Sequence, residues 1–325
     1  MFKADLTAYL FPALIIVLSL IIDIAVNDPP NRYHPTAWLG KVISALTPKF
    51  KADSSKIEKA NGVLLAIVTI AIYATPIYLL VSLCHFNYFL EIVVAALALK
   101  ITFALKCMDK HVRPIATHLQ HNDISSARQA VALIVRRDVS AFNTPLITSA
   151  AIESTAESIV DGFASPLFYY SLFGIAGAAI YRAINTLDSM VGYKDPYFVN
   201  IGWFSAKLDT LANWIPARLA TIILAFSALV LGLDWRNSIR IAVRDHRNTE
   251  SLNAGWIMSA MAGALNVRLE KPGYYVLGKE LPTPKDSHIV LALKVMYVTC
   301  ILFTAFICIP LSILFSYLWM WFSCL

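Results

Sequence analysis

The chain is short of charge. Only 15% of its 325 residues are Asp, Glu, Lys or Arg, against about 25% in an ordinary soluble domain, while 58% are hydrophobic. Such a surplus of apolar side chains needs a lipid solvent, and the positive mean hydropathy agrees. The length would allow roughly two soluble domains, but several apolar runs long enough to cross a bilayer favour one polytopic helical unit. The five cysteines, at 84, 107, 300, 308 and 324, form no CxxC pair and lie mostly in apolar runs. Neither a disulfide framework nor a zinc site is indicated, and they read as small packing residues. A P-loop of the GxxxxGK[ST] kind, HExxH and GxSxG are all absent, which removes the familiar soluble nucleotide-binding and hydrolase signatures. The N-terminal apolar run 6–22 lacks a small-residue cleavage site and is followed directly by Asp23. It reads as an anchor helix and not as a removed signal.

A membrane span needs about 20 mainly apolar residues. Residues 6–22 (marginally short), 62–83 with a kink at Pro76, 163–181, and 211–233 with Pro216 before its first full turn fit that requirement. So does the uncharged closing run 295–325, which is long enough to be tilted or kinked and carries Pro310 with Trp319 and Trp321 for an interfacial belt. Residues 86–106 form a weaker span, interrupted by Glu91 and by Lys100, a lysine near enough to the end to snorkel. Basic residues gather in 27–60, 106–140 and 234–288, which therefore read as cytoplasmic loop and helix segments. The net charge of +6 comes from these segments and does not point to nucleic acid. The expectation is an all-α, polytopic integral membrane protein of the cytoplasmic membrane, a single membrane-embedded domain over residues 1–325. It would have about five to six spans plus amphipathic or re-entrant helices, with lipid as its obligatory partner. Charge leaves two topologies open. In one, 163–181 and 211–233 each cross once; in the other, 141–162 and 163–185 form a hairpin and 211–233 is re-entrant or broken.

Polar residues concentrate in 150–218, inside otherwise membrane-like sequence, and ionisable groups there mark a functional site by default. A helix from 141 to 162 would put Pro145, Ser149, Glu153, Glu157 and Asp161 on one face. Like charges at that spacing repel, so cations or basic partners should offset them, or one carboxyl should stay protonated. An amphipathic helix lying in water is the plain alternative. With Asp188 and Asp209, the row offers oxygen ligands of the kind that share Mg²⁺ with substrate phosphates, and Arg182 and Arg218 are suited to clamping phosphate oxygens. The same carboxylates suit an ion or proton pathway, and composition does not separate the two. His111, His118 and His121 read as solvated surface, Gly174 and Gly177 as a helix-packing surface, and Asn253-Ala-Gly255 with Ala260-Met-Ala-Gly263 as a turn leading into a helix.

A resemblance rests on Asp28-Pro29 with His34-Pro35, on Arg137-Asp138, and on the blocks Ile152–Gly162, Pro166–Phe168, Tyr181–Tyr193, Asn213–Leu219 and Ser251–Gly255. In this order, and over most of the chain, these residues resemble the CbiB/CobD cobalamin-biosynthesis membrane proteins, the adenosylcobinamide-phosphate synthases. Ser158 stands where Asn is common in that family, and Asp209-Thr210 where paired aspartates are expected. What the resemblance implies is ATP- and Mg²⁺-dependent amide ligation of adenosylcobyric acid, the corrinoid substrate, with (R)-1-amino-2-propanol or its O-phosphate, giving adenosylcobinamide or its phosphate. On the same resemblance Glu153, Glu157, Asp161 and Asp188 are the catalytic and metal-holding carboxylates, and Arg182 and Arg218 neutralise phosphates. Asn185 and Asn213 orient substrate amides, and His34, Asp209 and Asn253 complete the substrate-binding set. Other cobalamin-pathway enzymes are expected partners. Two alternatives from other classes are a corrinoid or ion transporter using the same carboxylates, and a membrane sensor like the AmpE proteins.

Overall fold

In a computed structural model the backbone is described for residues 6–26 and 28–323, and side chains for 9–26 and 28–319. The chain forms α1 (Leu6–Val26), α2 (Pro35–Leu46), α3 (Ser55–Ser82), α4 (Tyr88–Lys100), α5 (Leu105–Gln120), α6 (Ile124–Ala132) and α7 (Thr144–Ile159). There follow α8 (Ser165–Val191), α9 (Trp203–Ala212), α10 (Trp214–Val230), α11 (Trp235–Asp245) and α12 (Ala254–Leu265). A short antiparallel hairpin, β1 (Leu269–Lys271) and β2 (Tyr275–Leu277), pairs Leu269 with Leu277 and Lys271 with Tyr275, and α13 (Ser287–Phe303) and α14 (Ile309–Ser323) close the chain. The protein is thus an all-α, multi-pass membrane protein, as its composition demands. Among the described residues five stretches are long and apolar enough to cross a bilayer: Tyr9–Val26, Ser55–Ser82, Tyr88–Gln120, Thr144–Val191 and Ser287–Trp319. A sixth is added if α9 and α10, bent by 43° at their junction, count as one span.

The chain divides into two compact units. The first holds Met1–Ala104, Ser165–Ala212 and Ala305–Leu325, the second Leu105–Ala164 and Asn213–Thr304. In the first unit Leu39 and Ile43 of α2 pack with Ala66 and Tyr73 of α3 and with Ala179, Ala183 and Leu187 of α8. Two expectations change here. Helix α1 does not stop before Asp23 but carries it inside the last turns, fully buried. Lys100 does not snorkel either: its side chain is 4% exposed, 2.9 Å from Asp23 and paired with Asp28. Burying a lysine is tolerable only with such partners, and the two aspartates lie far from it in sequence. Glu91, the other interruption of the 86–106 span, is paired with His85 at 2.7 Å.

Helix α8 breaks at Gly174, whose φ of 62° lies in the left-handed region that glycine enters without steric cost. A Cβ on Gly177 would overlap the carbonyl of Tyr169. The two glycines therefore make a kink within α8 and not a surface between helices. A π-helical turn, Val160–Ala164, follows α7 directly. A second π turn, Thr304–Cys308, interrupts the closing span just before Pro310. Trp319 is 77% exposed, as an interfacial residue would be; the Trp321 side chain lies outside the described residues.

In the second unit the polar segments 106–140 and 234–288 hold α5, α6, α11, α12 and the hairpin. Asn253-Ala-Gly255 leads into α12 as expected, and Gly255 and Gly263 lie where a Cβ would strike the carbonyls of His246 and Asn237.

Candidate active site

Helix α7 is set by its first turn. The Asn143 side chain accepts a hydrogen bond from the Leu146 N–H at 3.1 Å, and Pro145 occupies an early position where its missing N–H costs nothing. From Ile147 to Ile159 nearly every residue is buried, Glu153 included, which overturns the alternative of an amphipathic helix lying in water. Glu157 is the one exposed residue of α7, and Ser154 and Ser158 beside it are half-buried.

Glu153 is 4% exposed and held from three directions. Arg137 donates from Nη2 to Oε2 at 3.1 Å, Tyr275 donates its hydroxyl to Oε2 at 2.8 Å, and Ser149 donates to Oε1 at 2.6 Å. Ser149 Oγ in turn accepts from the Glu270 N–H at 2.7 Å, which ties the hairpin to the same turn of α7. The Arg137 guanidinium carbon lies 5.4 Å from the centroid of the Phe142 ring, close enough for a cation–π contact. A carboxylate has about four lone-pair positions, and these contacts take three of them. Burial, with Glu153 beside it, raises the Tyr275 phenol well above its usual range, so the hydroxyl stays a donor. Arg137 is the cation that offsets the first member of the carboxylate row. Glu157, one turn on, is exposed. Asp161 falls in the π turn, which rotates it off the i, i+4 row; π turns of this kind recur at functional sites.

The second unit holds another cluster where α10 meets the start of α12. Arg218 donates from Nη1 to the Trp214 carbonyl at 2.9 Å and to Asn253 Oδ1 at 2.7 Å. Its guanidinium carbon lies 4.6 Å from the Trp214 ring and 5.7 Å from the Trp256 ring. Trp256 stacks on His246 at 3.9 Å between centroids. Asn213 is buried at the junction of α9 and α10, its carbonyl accepting from the Ala217 N–H.

In the first unit Arg182, Asn185 and Asp209 form a chain. Arg182 donates to the Thr102 carbonyl and, from Nη1, to Asn185 Oδ1 at 3.2 Å, while Asn185 Nδ2 donates to Asp209 Oδ1 at 3.3 Å. Asp188 follows one turn after Asn185. Its carbonyl accepts from the Gly192 N–H at 2.8 Å, and any side chain at 192 would overlap its carboxylate. His34 caps α2 by accepting from the Thr36 N–H at 3.2 Å through Nδ1. A neutral His34 therefore carries its proton on Nε2, which lies 3.9 Å from Asp28.

The structure thus brings together Arg182, Asn185 and Asp209 in one unit, and Arg218 and Asn253 in the other. Among the described residues no three His, Cys, Asp or Glu side chains are grouped to hold a metal ion, so Glu153, Glu157, Asp161 and Asp188 do not form an all-protein cage. Sequence reasoning gave no role to Arg137, Ser149 or Tyr275. Ser149 carried a usable signal, four residues before Glu153 on one helix face; Tyr275, reaching α7 from a distant hairpin, carried none.

Comparison with known proteins follows the same residues. The family described as CobD/Cbib protein matches residues 16–319. A probable cobalamin biosynthesis protein CobD of Methanothermobacter thermautotrophicus is 37% identical over 290 residues, covering 89% of this chain and 95% of its own. One of Thermoplasma volcanium is 38% identical over 302 residues, covering 93% and 98%. The cobalamin biosynthesis protein CobD of Dehalococcoides mccartyi is 39% identical over 269 residues, covering 82% and 87%. No solved structure matches. With the family matched nearly end to end, the chain belongs to the CobD/Cbib protein family.

Proposed function

We propose that the chain is a cobalamin-biosynthesis enzyme of the cytoplasmic membrane that ligates adenosylcobyric acid to (R)-1-amino-2-propanol or its O-phosphate at the expense of ATP. The observation that carries this reading is the contrast on α7 between Glu153, buried and held by three donors, and Glu157, exposed one turn later. Glu153 serves as an anchor that sets the helix face. Glu157 is the carboxylate that meets substrate.

A corrinoid propionate is a poor acyl donor at neutral pH. Attack of its oxygen on the terminal phosphorus of ATP releases ADP and gives an acyl phosphate. The free amine then attacks the acyl carbon, phosphate leaves, and the proton from nitrogen passes to a carboxylate base, the role assigned to Glu157. General-base assistance of this kind contributes about 10²–10⁴-fold. Mg²⁺ is usually held by one or two carboxylates with substrate phosphates and water. Glu157 with Asp161 in the second unit would hold it, Asp188 being the carboxylate proposed for that role in the first, and the ion would neutralise charge on the phosphates. Arg182 and Arg218 are assigned to phosphate oxygens, Asn185 and Asn213 to amide groups of the substrate, and Asn253 to the wider substrate-binding set. Other enzymes of the pathway are the expected partners, and an ATP site implies a cytoplasmic opening.

The test is mass spectrometry of products after the purified chain is incubated with adenosylcobyric acid, aminopropanol phosphate, ATP and Mg²⁺. An adenosylcobinamide phosphate mass that requires ATP is expected. Substrate uptake into vesicles without amide formation would overturn the assignment in favour of a transporter.

A further inference from the structure

Helix α11 presents two unlike faces. Asn237, Ser238, Ile241, Ala242 and Asp245 are buried. Ser238 donates to the Ala260 carbonyl at 2.9 Å, and Asn237 Nδ2 to Asn266 Oδ1 at 2.5 Å, which seats this face on α12 and its C-terminal cap. The outer face carries Ile239, 46% exposed, and Val243, 59% exposed. Half-buried Trp235 precedes them, so 235, 239 and 243 form one i, i+4, i+8 stripe. Arg236, Arg240, Arg244 and Arg247 are exposed alongside it.

The polar helix α5 of the same unit looks different. No large apolar side chain of α5 is exposed; that helix shows Lys110, Arg113, Thr117 and Gln120 instead. The outer face of α11 is thus unlike the polar outer face of α5. With 11 residues α11 is about 16 Å long, too short to cross a hydrocarbon core of about 30 Å. It also begins five residues after the end of α10 at Val230, where Phe226, Leu229 and Val230 are exposed as lipid-facing residues would be. An apolar stripe flanked by arginines, next to the end of a span, is the pattern of a helix lying in the bilayer surface.

The charge on this face names the surface. Arg244 is held by Asp245 at 2.6 Å and by Glu280 at 2.5 Å, and Arg240 lies 3.6 Å from the same Glu280. Asp234 is used as the N-cap, accepting from the Asn237 N–H. Arg236 and Arg247 are left exposed, the first with its guanidinium carbon 5.4 Å from the Trp235 ring. We propose that α11 is an in-plane anchor that seats Trp235, Ile239 and Val243 at the acyl boundary and sets Arg236, Arg240 and Arg247 against anionic lipid phosphates. Each basic residue near such a surface adds roughly fivefold to its attraction.

The test uses the full chain reconstituted in vesicles, with an environment-sensitive fluorescent amino acid replacing Ile239 and, as a control, Thr117. Vesicles are phosphatidylcholine alone or mixed with phosphatidylglycerol, each with a fraction of shallow brominated lipid. The expected result is quenching at 239 but not at 117, stronger when phosphatidylglycerol is present, with the increment lost in the Arg236→Gln/Arg247→Gln variant. Quenching at 239 by aqueous iodide and not by bromolipid would overturn the proposal, because the face would then be in water. Shielding from both quenchers would overturn it in favour of a second copy or a protein partner. Equal quenching in the two lipid mixtures would overturn the headgroup assignment, and that comparison needs no arginine variant to fold.

Discussion

Replacing Arg137 by Met removes the cation beside Glu153 and keeps an unbranched side chain in its place. At 3.1 Å and an effective dielectric of about 20, the gross attraction of the pair is about 5 kcal/mol, and desolvation offsets much of it. What the variant exposes is the other half of that balance: Glu153, 4% exposed, would keep its hydroxyl donors but lose its counter-charge. Removing one member of a buried pair costs about 3–5 kcal/mol. The hydroxyls of Ser149 and Tyr275 remain, and the Arg137 side chain is 16% exposed, which together place the expected cost near the low end, about 3 kcal/mol. Glu153→Gln alone leaves the guanidinium facing a neutral amide, at about 2 kcal/mol. If the two side chains act as a pair, the double variant costs about 2 kcal/mol less than the sum. Reversible unfolding of all four proteins in mixed micelles measures the cycle. Closure to within about 0.5 kcal/mol of additivity would refute the coupling, and with it the role of Glu153 as an anchored carboxylate.

Glu157→Gln should lower ATP-dependent product formation by about 10²–10⁴-fold while leaving the unfolding midpoint unchanged, since the side chain is exposed; product mass spectrometry beside an unfolding curve checks both. Tyr275 has a phenol pKa raised by burial from the ordinary 10.0, so its neutral form is favoured on folding. The stabilisation it adds is complete below pH 10 and is lost as pH rises further, and Tyr275→Phe should remove that alkaline limb from a plot of unfolding free energy against pH. The Glu280 carboxyl is pushed down to about 2 from 4.5, chiefly by the hydrogen bond from Arg244. The order it lends the loop after β2 is present above pH 4.5 and lost as pH falls toward 2, so hydrogen exchange there should quicken in acid in the wild type and show no such acid step in Glu280→Gln. Gly192→Ala would drive a Cβ into the Asp188 carboxylate and carbonyl; turnover should fall roughly 10²-fold with helix content by circular dichroism unchanged.

Much of the scaffold was legible because its causes are local. A run such as 62–83 or 295–325 is apolar over the length of a bilayer core whatever the rest of the chain does, whereas α7, expected from 141, begins only at Thr144, after its Asn143 cap. The breaks were harder. Pro310 marked the closing span as kinked, yet the helix departs from α geometry in the π turn before it. The Val160–Ala164 turn carried no residue signal, so Asp161 was read as the third member of a straight row.

Composition and the length of the apolar runs determined the solvent, the all-α class and the segments able to cross a membrane, because burial in lipid is a one-body property of each side chain. The motif blocks determined the family. Which polar groups satisfy one another was decided only in three dimensions, because a buried charge is stabilised by partners whose sequence separation is unconstrained. Asp23 looked like the end of a helix and Lys100 like a snorkelling lysine, until folding paired them at 2.9 Å. Glu153, Glu157 and Asp161 looked like three equal carboxylates, until Arg137 and Tyr275 arrived from other elements to bury the first and a π turn moved the third. What is left exposed on α7 is Glu157.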